Sequence, residues 1–161
     1  MIVIIMGVTG AGKTTVGVLL AQQLGWQFAD ADDFHSAANK QKMSQGIPLT
    51  DADRMPWLQA LNEAMVHWQV SGQNGVLACS ALKQAYRERL SQGLTVKFVY
   101  LRGSADLILG RLQLRKGHYA KGDLVASQLT DLEVPQDSYV VDIDNDPESM
   151  VREIRRGLKL Q

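Results

Sequence analysis

Cysteine is almost absent from this chain of 161 residues, since Cys79 is the only one. A single cysteine excludes an intramolecular disulfide and a cysteine-rich zinc module. It is typical of a protein from a reducing compartment, so we expect a cytoplasmic location. No apolar run approaches the roughly 18 residues of a membrane span. The apolar start of the chain has neither a basic region nor a small-residue cleavage site, so we expect no membrane partner.

The chain also has no net charge, because 17 Lys and Arg residues balance 17 Asp and Glu residues. Bulk binding of nucleic acid needs a basic excess, so we expect no nucleic-acid partner. Hydrophobic residues make up 45% and charged residues 21%, the balance of an ordinary globular protein. The apolar content is too high for a disordered chain. The length predicts a single domain over residues 1–161.

Short apolar runs rich in β-branched residues alternate with segments of helical spacing. The continuous apolar run at 2–6 is typical of a strand that is covered on both faces. The alternation predicts an α/β fold, a five-stranded parallel sheet with helices on both faces. We expect strands at 2–6, 27–29, 76–79, 96–101 and 139–143, and helices at 13–24, 39–44, 82–90 and 124–132, with others after Thr50, Ser104 and Asp146.

A glycine-rich motif follows the first predicted strand and opens a helix. Residues 7–14, GVTGAGKT, fit the pattern G-x-x-x-x-G-K-[ST] of a phosphate-binding P-loop. Glycines let the backbone curl so that N–H groups point inward, and the helix N-terminus favours anions. Lys13 can reach the β- and γ-phosphates, and the Thr14 hydroxyl can bind Mg²⁺. The predicted nucleotide-binding residues are Gly7, Val8, Thr9, Gly10, Ala11, Gly12, Lys13, Thr14 and Thr15.

The motif alone leaves the phosphate acceptor open. A switch GTPase would usually carry an Asn-Lys-x-Asp motif, and none occurs here. A coupled ATPase typically has an apolar strand that ends in Asp, whereas the strand at 76–79 is followed by Ser80. The chain is also short for either machine. We therefore favour a small-molecule kinase, with a nucleotide-dependent binding module as the non-enzyme alternative.

Acidic residues follow the second predicted strand, in the segment DADDFH. A polyol acceptor needs a carboxylate to orient its hydroxyl and accept the proton, and Mg²⁺ needs oxygen ligands. We assign Asp30 to the metal and Asp32 to the acceptor hydroxyl as a catalytic group, and we expect Asp33 to be solvated. His35 is a candidate contact of the acceptor. The alternative is an acidic surface turn with a histidine that serves packing.

Cationic and polar residues further along the chain are candidate acceptor contacts. Arg54 could pair bidentately with an acceptor carboxylate, or with an acid one turn earlier in its own helix. Ser80 and Lys83 follow the third strand and could touch a polyhydroxy acid. Tyr86 and Arg87 are equally consistent with structural roles.

Arg111 and Arg115 lie four residues apart, hence on one helix face, and lead into a polar segment with glycines. A lid at about 112–126 would exclude water. We expect Arg115 to act in catalysis by reaching the phosphates and Arg111 to stack near adenine. The alternative is a solvated helix face. Pro147, after the fifth strand, is a candidate wall of the adenine pocket.

The sequence resembles the bacterial gluconate kinases, which are relatives of the shikimate and nucleoside monophosphate kinases. The matching stretches are GVTGAGKT, DADDFH, NKQKMSQGIPLTDADRMPWLQALN, CSALKQAYRERL, RLQLRKGH and VVDID. Ala31 stands where the family usually has Gly, and Ser36 where Pro is common. Neither departure removes a charged or donor group.

The resemblance implies a P-loop fold of the nucleoside monophosphate kinase type, with a helical acceptor-binding segment at about 36–70. It implies transfer of a phosphoryl group from ATP, with Mg²⁺, to D-gluconate, giving 6-phosphogluconate and ADP. It also implies a homodimer. A different small sugar acid, or an acceptor like shikimate, is the alternative substrate.

Overall fold

All five predicted strands form, and they pair in parallel within one sheet. The computed structural model describes residues 1–113 and 121–161. The strands are β1 (Ile2–Met6), β2 (Gln27–Asp30), β3 (Gly75–Ala78), β4 (Val96–Arg102) and β5 (Tyr139–Asp142). The helices of the described residues are α1 (Lys13–Leu24), α2 (Ala37–Ser44), α3 (Asp51–Val70), α4 (Gln84–Leu90), α5 (Ala105–Gln113), α6 (Lys121–Asp131) and α7 (Pro147–Gly157), with a short 3-10 helix at Ala31–Phe34. The predicted α/β fold is confirmed.

The strand order is β2-β3-β1-β4-β5, which puts the first strand at the centre of the sheet. Ile4 of β1 pairs with Leu77 of β3 on one side and with Phe98 of β4 on the other. Because every pairing is parallel, the carboxyl ends of the strands meet at one edge, where ligands bind in open α/β sheets. The segments after β2 and β3 lie to one side of the glycine-rich loop, and the segment after β5 lies to the other.

The central strand is buried on both faces, as its continuous apolar sequence predicts. Val3 and Ile5 point into one core, with apolar side chains of α1, α5, α6 and α7. Ile2, Ile4 and Met6 point into a second core, which is covered by α3 and α4. Each fully buried aliphatic side chain contributes about 1.5–3 kcal/mol. The strand that ends in the glycine-rich loop is therefore held on both sides.

The helices expected after Thr50, Ser104 and Asp146 begin directly after those residues. The Thr50 hydroxyl accepts from the backbone N–H of Asp53 at 3.0 Å, and the Asp53 carboxylate accepts from the N–H of Thr50 at 2.9 Å. This reciprocal pair is a capping box with Asp in place of the usual Glu. Ser104 caps α5 through the N–H of Leu107, and Pro147 opens α7.

Several predicted boundaries are wrong. The second helix begins at Ala37, not at residue 39. The fourth helix begins at Gln84, not at residue 82, because Lys83 before it is extended, with φ −102° and ψ 146°. The sixth helix begins at Lys121, not at residue 124. Of the lid predicted at about 112–126, residues 112 and 113 belong to α5 and residues 121–126 belong to α6. The remainder, which includes Arg115, lies outside the described residues. In the part of the chain described, we find no helix long and apolar enough to cross a bilayer.

Candidate active site

The glycine-rich loop between β1 and α1 is curled in a way that only glycine permits. Gly10 and Gly12 have φ values of 83° and 98°, a region that costs other residues roughly 1–2 kcal/mol. A Cβ at Gly10 would also lie 3.1 Å from side-chain atoms of Ile108 and Leu112. The N–H of Val16 bonds to the carbonyl of Gly12 at 2.9 Å, so the first helical turn starts directly from the loop. The loop has the shape of an anion cradle.

Lys13 lies half-buried at this cradle, with its ammonium folded over the loop. Its Nζ donates to the carbonyl of Val8 at 3.0 Å. Burial lowers the pKa of Lys13, and the nearby carboxylates of Asp32 and Asp30 oppose that shift. A cation that is poorly hydrated in this way gains more from an approaching anion than an exposed lysine would.

The acidic segment after β2 contacts the loop directly. The Thr14 hydroxyl donates to Oδ2 of Asp30 at 2.7 Å. The other oxygen of Asp30 accepts from the backbone N–H of Asp32 at 3.0 Å, which caps the 3-10 helix. Asp30 and Asp32 are thereby fixed beside the first turn of α1. The structure brings together the residues predicted to bind metal and acceptor hydroxyl.

The pair formed by Thr14 and Asp30 fits a magnesium ion chemically, because hydroxyl and carboxylate oxygens are ligands that Mg²⁺ accepts. In residues 1–113 and 121–161 no group of three or more His, Cys, Asp and Glu side chains could hold a metal. Magnesium characteristically takes one or two protein ligands together with phosphate oxygens and water. The site is of that kind.

His35 is buried against the indole of Trp57. The ring centroids are 4.2 Å apart and the planes differ by 13°, and the imidazole Nδ1 lies 3.4 Å from the side-chain nitrogen of Asn39. Burial lowers the pKa of His35 from 6.5 to about 4, with the charges of Arg54 and Lys40 adding to the shift. His35 is therefore neutral near pH 7.

Trp57 also fixes the acidic segment. Its indole N–H donates to the carbonyl of Ala31 at 2.7 Å in a buried setting. This tryptophan packs in the second core. The hydrogen bond adds a positioning role, because Ala31 lies between Asp30 and Asp32.

Arg54 and Lys83 approach one tyrosine from α3 and from the start of α4. The guanidinium carbon of Arg54 lies 5.3 Å from the centroid of the Tyr86 ring, and Nζ of Lys83 lies 5.6 Å from it. Arg54 donates to the Tyr86 hydroxyl at 2.9 Å, and that hydroxyl donates to Asp51. Lys83 pairs with Asp51 at 3.5 Å. We call Arg54, Lys83 and Tyr86 the cationic cluster.

Arg54 was expected to pair either with an acceptor carboxylate or with an acid one turn earlier in its own helix. In the structure it contacts that acid, Asp51, through the Tyr86 hydroxyl. Burial and, to a lesser extent, the hydrogen bond to Asp51 raise the pKa of Tyr86. The hydrogen bond from Tyr86 and, to a lesser extent, the charge of Lys83 lower the pKa of Asp51. Asp51 thus lies beside both cations, and Asp131 adds a second negative charge near Lys83.

The loop after β3, residues 80–83, joins this cluster to the phosphate cradle. Ser80 is half-buried, and its carbonyl accepts from the N–H of Gly7 at 3.4 Å. Arg87, only 4% exposed, donates to the carbonyls of Ala81 at 2.7 Å and Leu82 at 3.1 Å. These bonds hold the left-handed turn at Ala81. We call residues 80–83 the acceptor loop.

Arg111 and Pro147 meet on the opposite side of the cradle. The guanidinium of Arg111 donates to the carbonyl of Ile143, directly after β5. Pro147 is half-buried in the first turn of α7, four residues further along. The two residues predicted to contact adenine therefore flank the same loop. Arg115, predicted to reach the phosphates, lies outside the described residues.

Comparison with known proteins agrees with this geometry. The family model described as shikimate kinase matches residues 9–156. A probable gluconokinase of Xenopus tropicalis is 46% identical over 173 residues, which cover 96% of this chain and 91% of that protein. A gluconokinase of Gluconobacter oxydans is 47% identical over 135 residues, covering 83% and 76%. The chain belongs to the gluconokinase group of the shikimate kinase family. Membership of a kinase family implies use of ATP.

A solved structure supports the same placement. The crystal structure of a gluconokinase from Sinorhizobium meliloti superposes with a TM-score of 0.89 at 38% identity, and the match covers 98% of this chain and 90% of that one. The described fold is therefore that of the gluconokinases across its full sheet.

One residue near the cradle is missing from the sequence-based site. Oε1 of Gln128, on α6, accepts from the backbone N–H of Thr9 at 2.6 Å. Val125, Gln128 and Leu132 follow each other at spacings of three and four and so share one face of the helical segment. A polar side chain within an apolar stripe was the available signal.

Proposed function

We propose that this protein transfers the γ-phosphoryl group of ATP to the C6 hydroxyl of D-gluconate. The observation that carries the proposal is the 2.7 Å hydrogen bond between Thr14 and Asp30, because it joins a phosphate-binding loop to the acidic segment that would receive the acceptor. The gluconokinase names of relatives above 40% identity supply the acceptor's identity.

The nucleotide would lie across the central and β5 side of the sheet edge. The curled amides of residues 7–15 and the Lys13 ammonium would bind the phosphates, and Arg111 and Pro147 would enclose the adenine. Thr14 and Asp30 would hold Mg²⁺, which neutralises charge on the bound phosphates when it is present. Arg115 stays a predicted phosphate contact.

The sugar acid would lie over the β2 and β3 ends. Arg54 and Lys83 supply the positive charge that a carboxylate requires, and Arg can bind it with two parallel N–H groups. Ser80, on the acceptor loop, and His35 would contact hydroxyl groups. Because His35 is neutral, it can recognise a hydroxyl without adding charge.

Phosphoryl transfer would then need little beyond the alignment of the two substrates. The C6 hydroxyl oxygen forms a bond to the γ-phosphorus while the bond from that phosphorus to the bridging oxygen of ADP breaks, and Asp32 takes the hydroxyl proton. Lys13 stabilises the charge on the transferring group. Closure of the lid predicted at about 112–126 would exclude water as a competing acceptor.

The test is ADP release measured with D-gluconate, other sugar acids, shikimate and nucleoside monophosphates. We expect D-gluconate to be preferred by kcat/KM. A preference for shikimate would identify the alternative acceptor, turnover without any acceptor would indicate an ATPase, and ATP binding without turnover a binding module.

Residue roles are tested by paired variants. Lys13→Ala and Asp32→Asn should each lower kcat by at least about a hundredfold, and Asp32→Asn should leave ATP binding largely intact. Asp33→Asn changes the neighbouring exposed acid and serves as the matched control. If Asp32→Asn keeps the wild-type kcat, Asp32 is not the proton acceptor.

Arg54→Ala tests the acceptor side. Losing a charged partner of a carboxylate should raise the KM for D-gluconate about tenfold or more, while the KM for ATP changes little. The reverse pattern would move Arg54 to the nucleotide site. A homodimer, a cytoplasmic location and acceptor binding by the segment at about 36–70 stay predictions from the sequence.

A further inference from the structure

Helix α6 contacts the phosphate cradle through the polar side chain of Gln128. Gln128 is half-buried, and its Oε1 accepts from the N–H of Thr9, 119 residues earlier, at 2.6 Å. The helix is held there by packing. Val125 is fully buried in the same core as Val8 and Ala11 of the cradle, and Leu129 packs against that core.

The direction of this hydrogen bond fixes the orientation of the Gln128 amide. A backbone N–H can only donate, so the side-chain oxygen must face Thr9. The amide nitrogen then carries its two N–H donors away from Thr9. A side chain so placed can hold the loop with one atom and donate to an anion in the cradle with the other.

The C-terminal end of α6 is tied to the acceptor loop. The N–H of Glu133 donates to the carbonyl of Leu82 at 2.8 Å, and its carboxylate accepts from the N–H of Gln84 at 2.7 Å. The buried Arg87 donates to the carbonyl of Glu133 at 2.8 Å. The segment 128–133 therefore contacts both the phosphate cradle, through Gln128, and the acceptor loop, through Glu133.

We propose that Gln128 is a positioning residue for the phosphoryl donor, which holds the Thr9 amide with its oxygen and turns its amide N–H groups toward the bound phosphates. The inference rests on the proposed kinase function for its ligand. Because Glu133 is bonded to the acceptor loop, Gln128 keeps a fixed position relative to the bound acceptor. The side chain must accept from Thr9 and must also be uncharged, because a negative group here would repel a polyphosphate.

Two variants separate these requirements. Gln128→Glu keeps an oxygen that accepts from Thr9 but places a carboxylate beside the cradle, whereas Gln128→Ala removes the hydrogen bond without adding charge. Ser127→Ala, at the adjacent exposed position of α6, is the matched control. The measurements are urea unfolding without nucleotide, ATP binding by calorimetry without acceptor, and steady-state kinetics with D-gluconate.

We expect Gln128→Ala to weaken ATP binding about three- to tenfold, as for one lost hydrogen bond. Gln128→Glu should unfold at the wild-type urea midpoint or above it, yet bind ATP at least about tenfold more weakly than Gln128→Ala. That extra loss should shrink as salt rises. Ser127→Ala should match the wild type in every measurement.

A Gln128→Glu protein that binds ATP as tightly as Gln128→Ala overturns the proposal. So does a loss of ATP affinity that only parallels a loss of stability, since a packing role would give that pattern. These outcomes come from ATP binding and urea unfolding, and neither measurement needs turnover of D-gluconate. Failure of the proposed function would appear separately, as a wild-type protein that binds ATP but does not phosphorylate D-gluconate.

Discussion

The buried His35 makes the stability of this protein dependent on pH in a predictable way. Its ring is 8% exposed and stacked on Trp57, and burial with two nearby cations lowers its pKa from 6.5 to about 4. Between those values the unfolded chain binds a proton at this position and the folded chain does not. Stability must therefore fall as the pH drops through this range.

The size of the effect follows from the two pKa values. With 6.5 in the unfolded chain and about 4 in the folded one, the free energy of unfolding at pH 4.5 should be about 2.5 kcal/mol lower on account of His35 than at pH 7.5. Below the folded pKa the loss stops growing, because both states then carry the proton. A loss of this size is a large share of the stability of an ordinary domain, about 5–15 kcal/mol.

The variant His35→Gln removes the titrating ring and isolates its contribution. Urea unfolding of the wild type and of His35→Gln at pH 7.5, 6.0, 5.0 and 4.5 gives two curves, and carboxylates affect both alike. The wild type should lose about 2.5 kcal/mol more than the variant over this range. His67→Gln makes the same change at an exposed position of α3 and should track the wild type. Parallel curves for the wild type and His35→Gln would refute the reasoning.

Three further changes test other parts of the structure. Gly10→Ala and Gly12→Ala both force a left-handed alanine, but only at Gly10 would the new methyl group press on α5. Gly10→Ala should therefore unfold at a lower urea concentration than Gly12→Ala, with a free energy of unfolding lower by at least about 1 kcal/mol. Equal urea midpoints would contradict the packing. Tyr86→Phe removes the hydroxyl that accepts from Arg54, so the KM for D-gluconate should rise severalfold and the KM for ATP should stay unchanged. Equal rises of both KM values would show that the cationic cluster does not face the acceptor alone. Gly157→Ala would drive a Cβ into the tyrosine ring of β5, so it should lower Tm by several degrees with both KM values unchanged, and a wild-type Tm would show that the helix can shift.

Much of the fold could be predicted because local and global signals agree in it. The continuous apolar run at 2–6 and the glycine-rich motif after it specify a buried strand, a loop and a helix, and the capping box at Thr50 marks the start of α3. Strand order could not be read from the sequence, because it depends on how distant runs pair. The start of α4 was misplaced for a similar reason, since the extended Lys83 before it lies between Leu82 and Gln84, which both bond to the distant Glu133.

The candidate site also contains residues that the sequence predicted and contacts that it did not. Residues that share a motif or a strand end, such as Thr14 and Asp30, are brought together as predicted. The contact of Gln128 with Thr9 spans 119 residues, and its sequence signal is no more than a polar residue within an apolar stripe of the helical segment. The cationic cluster was half predicted. Arg54 and Lys83 follow from their charge, but the tyrosine ring between them is visible only once α3 and α4 pack together.

The sheet order gives the two substrates different sets of elements. In the proposed function, residues for the acceptor would come from the ends of β2 and β3 and from α3, and residues for the nucleotide base would come from α5 and the loop after β5. Substitutions on α3 and the acceptor loop can therefore change the acceptor without disturbing the curled amides at residues 7–15. Besides the bond from Thr14 to Asp30, links that cross between the halves are the bond from Gly7 to Ser80 and the segment from Gln128 on α6 to Glu133, two residues past the end of that helix. A change at either link should alter kcat through misalignment even when each substrate still binds normally, because positioning supplies most of the catalysis in phosphoryl transfer.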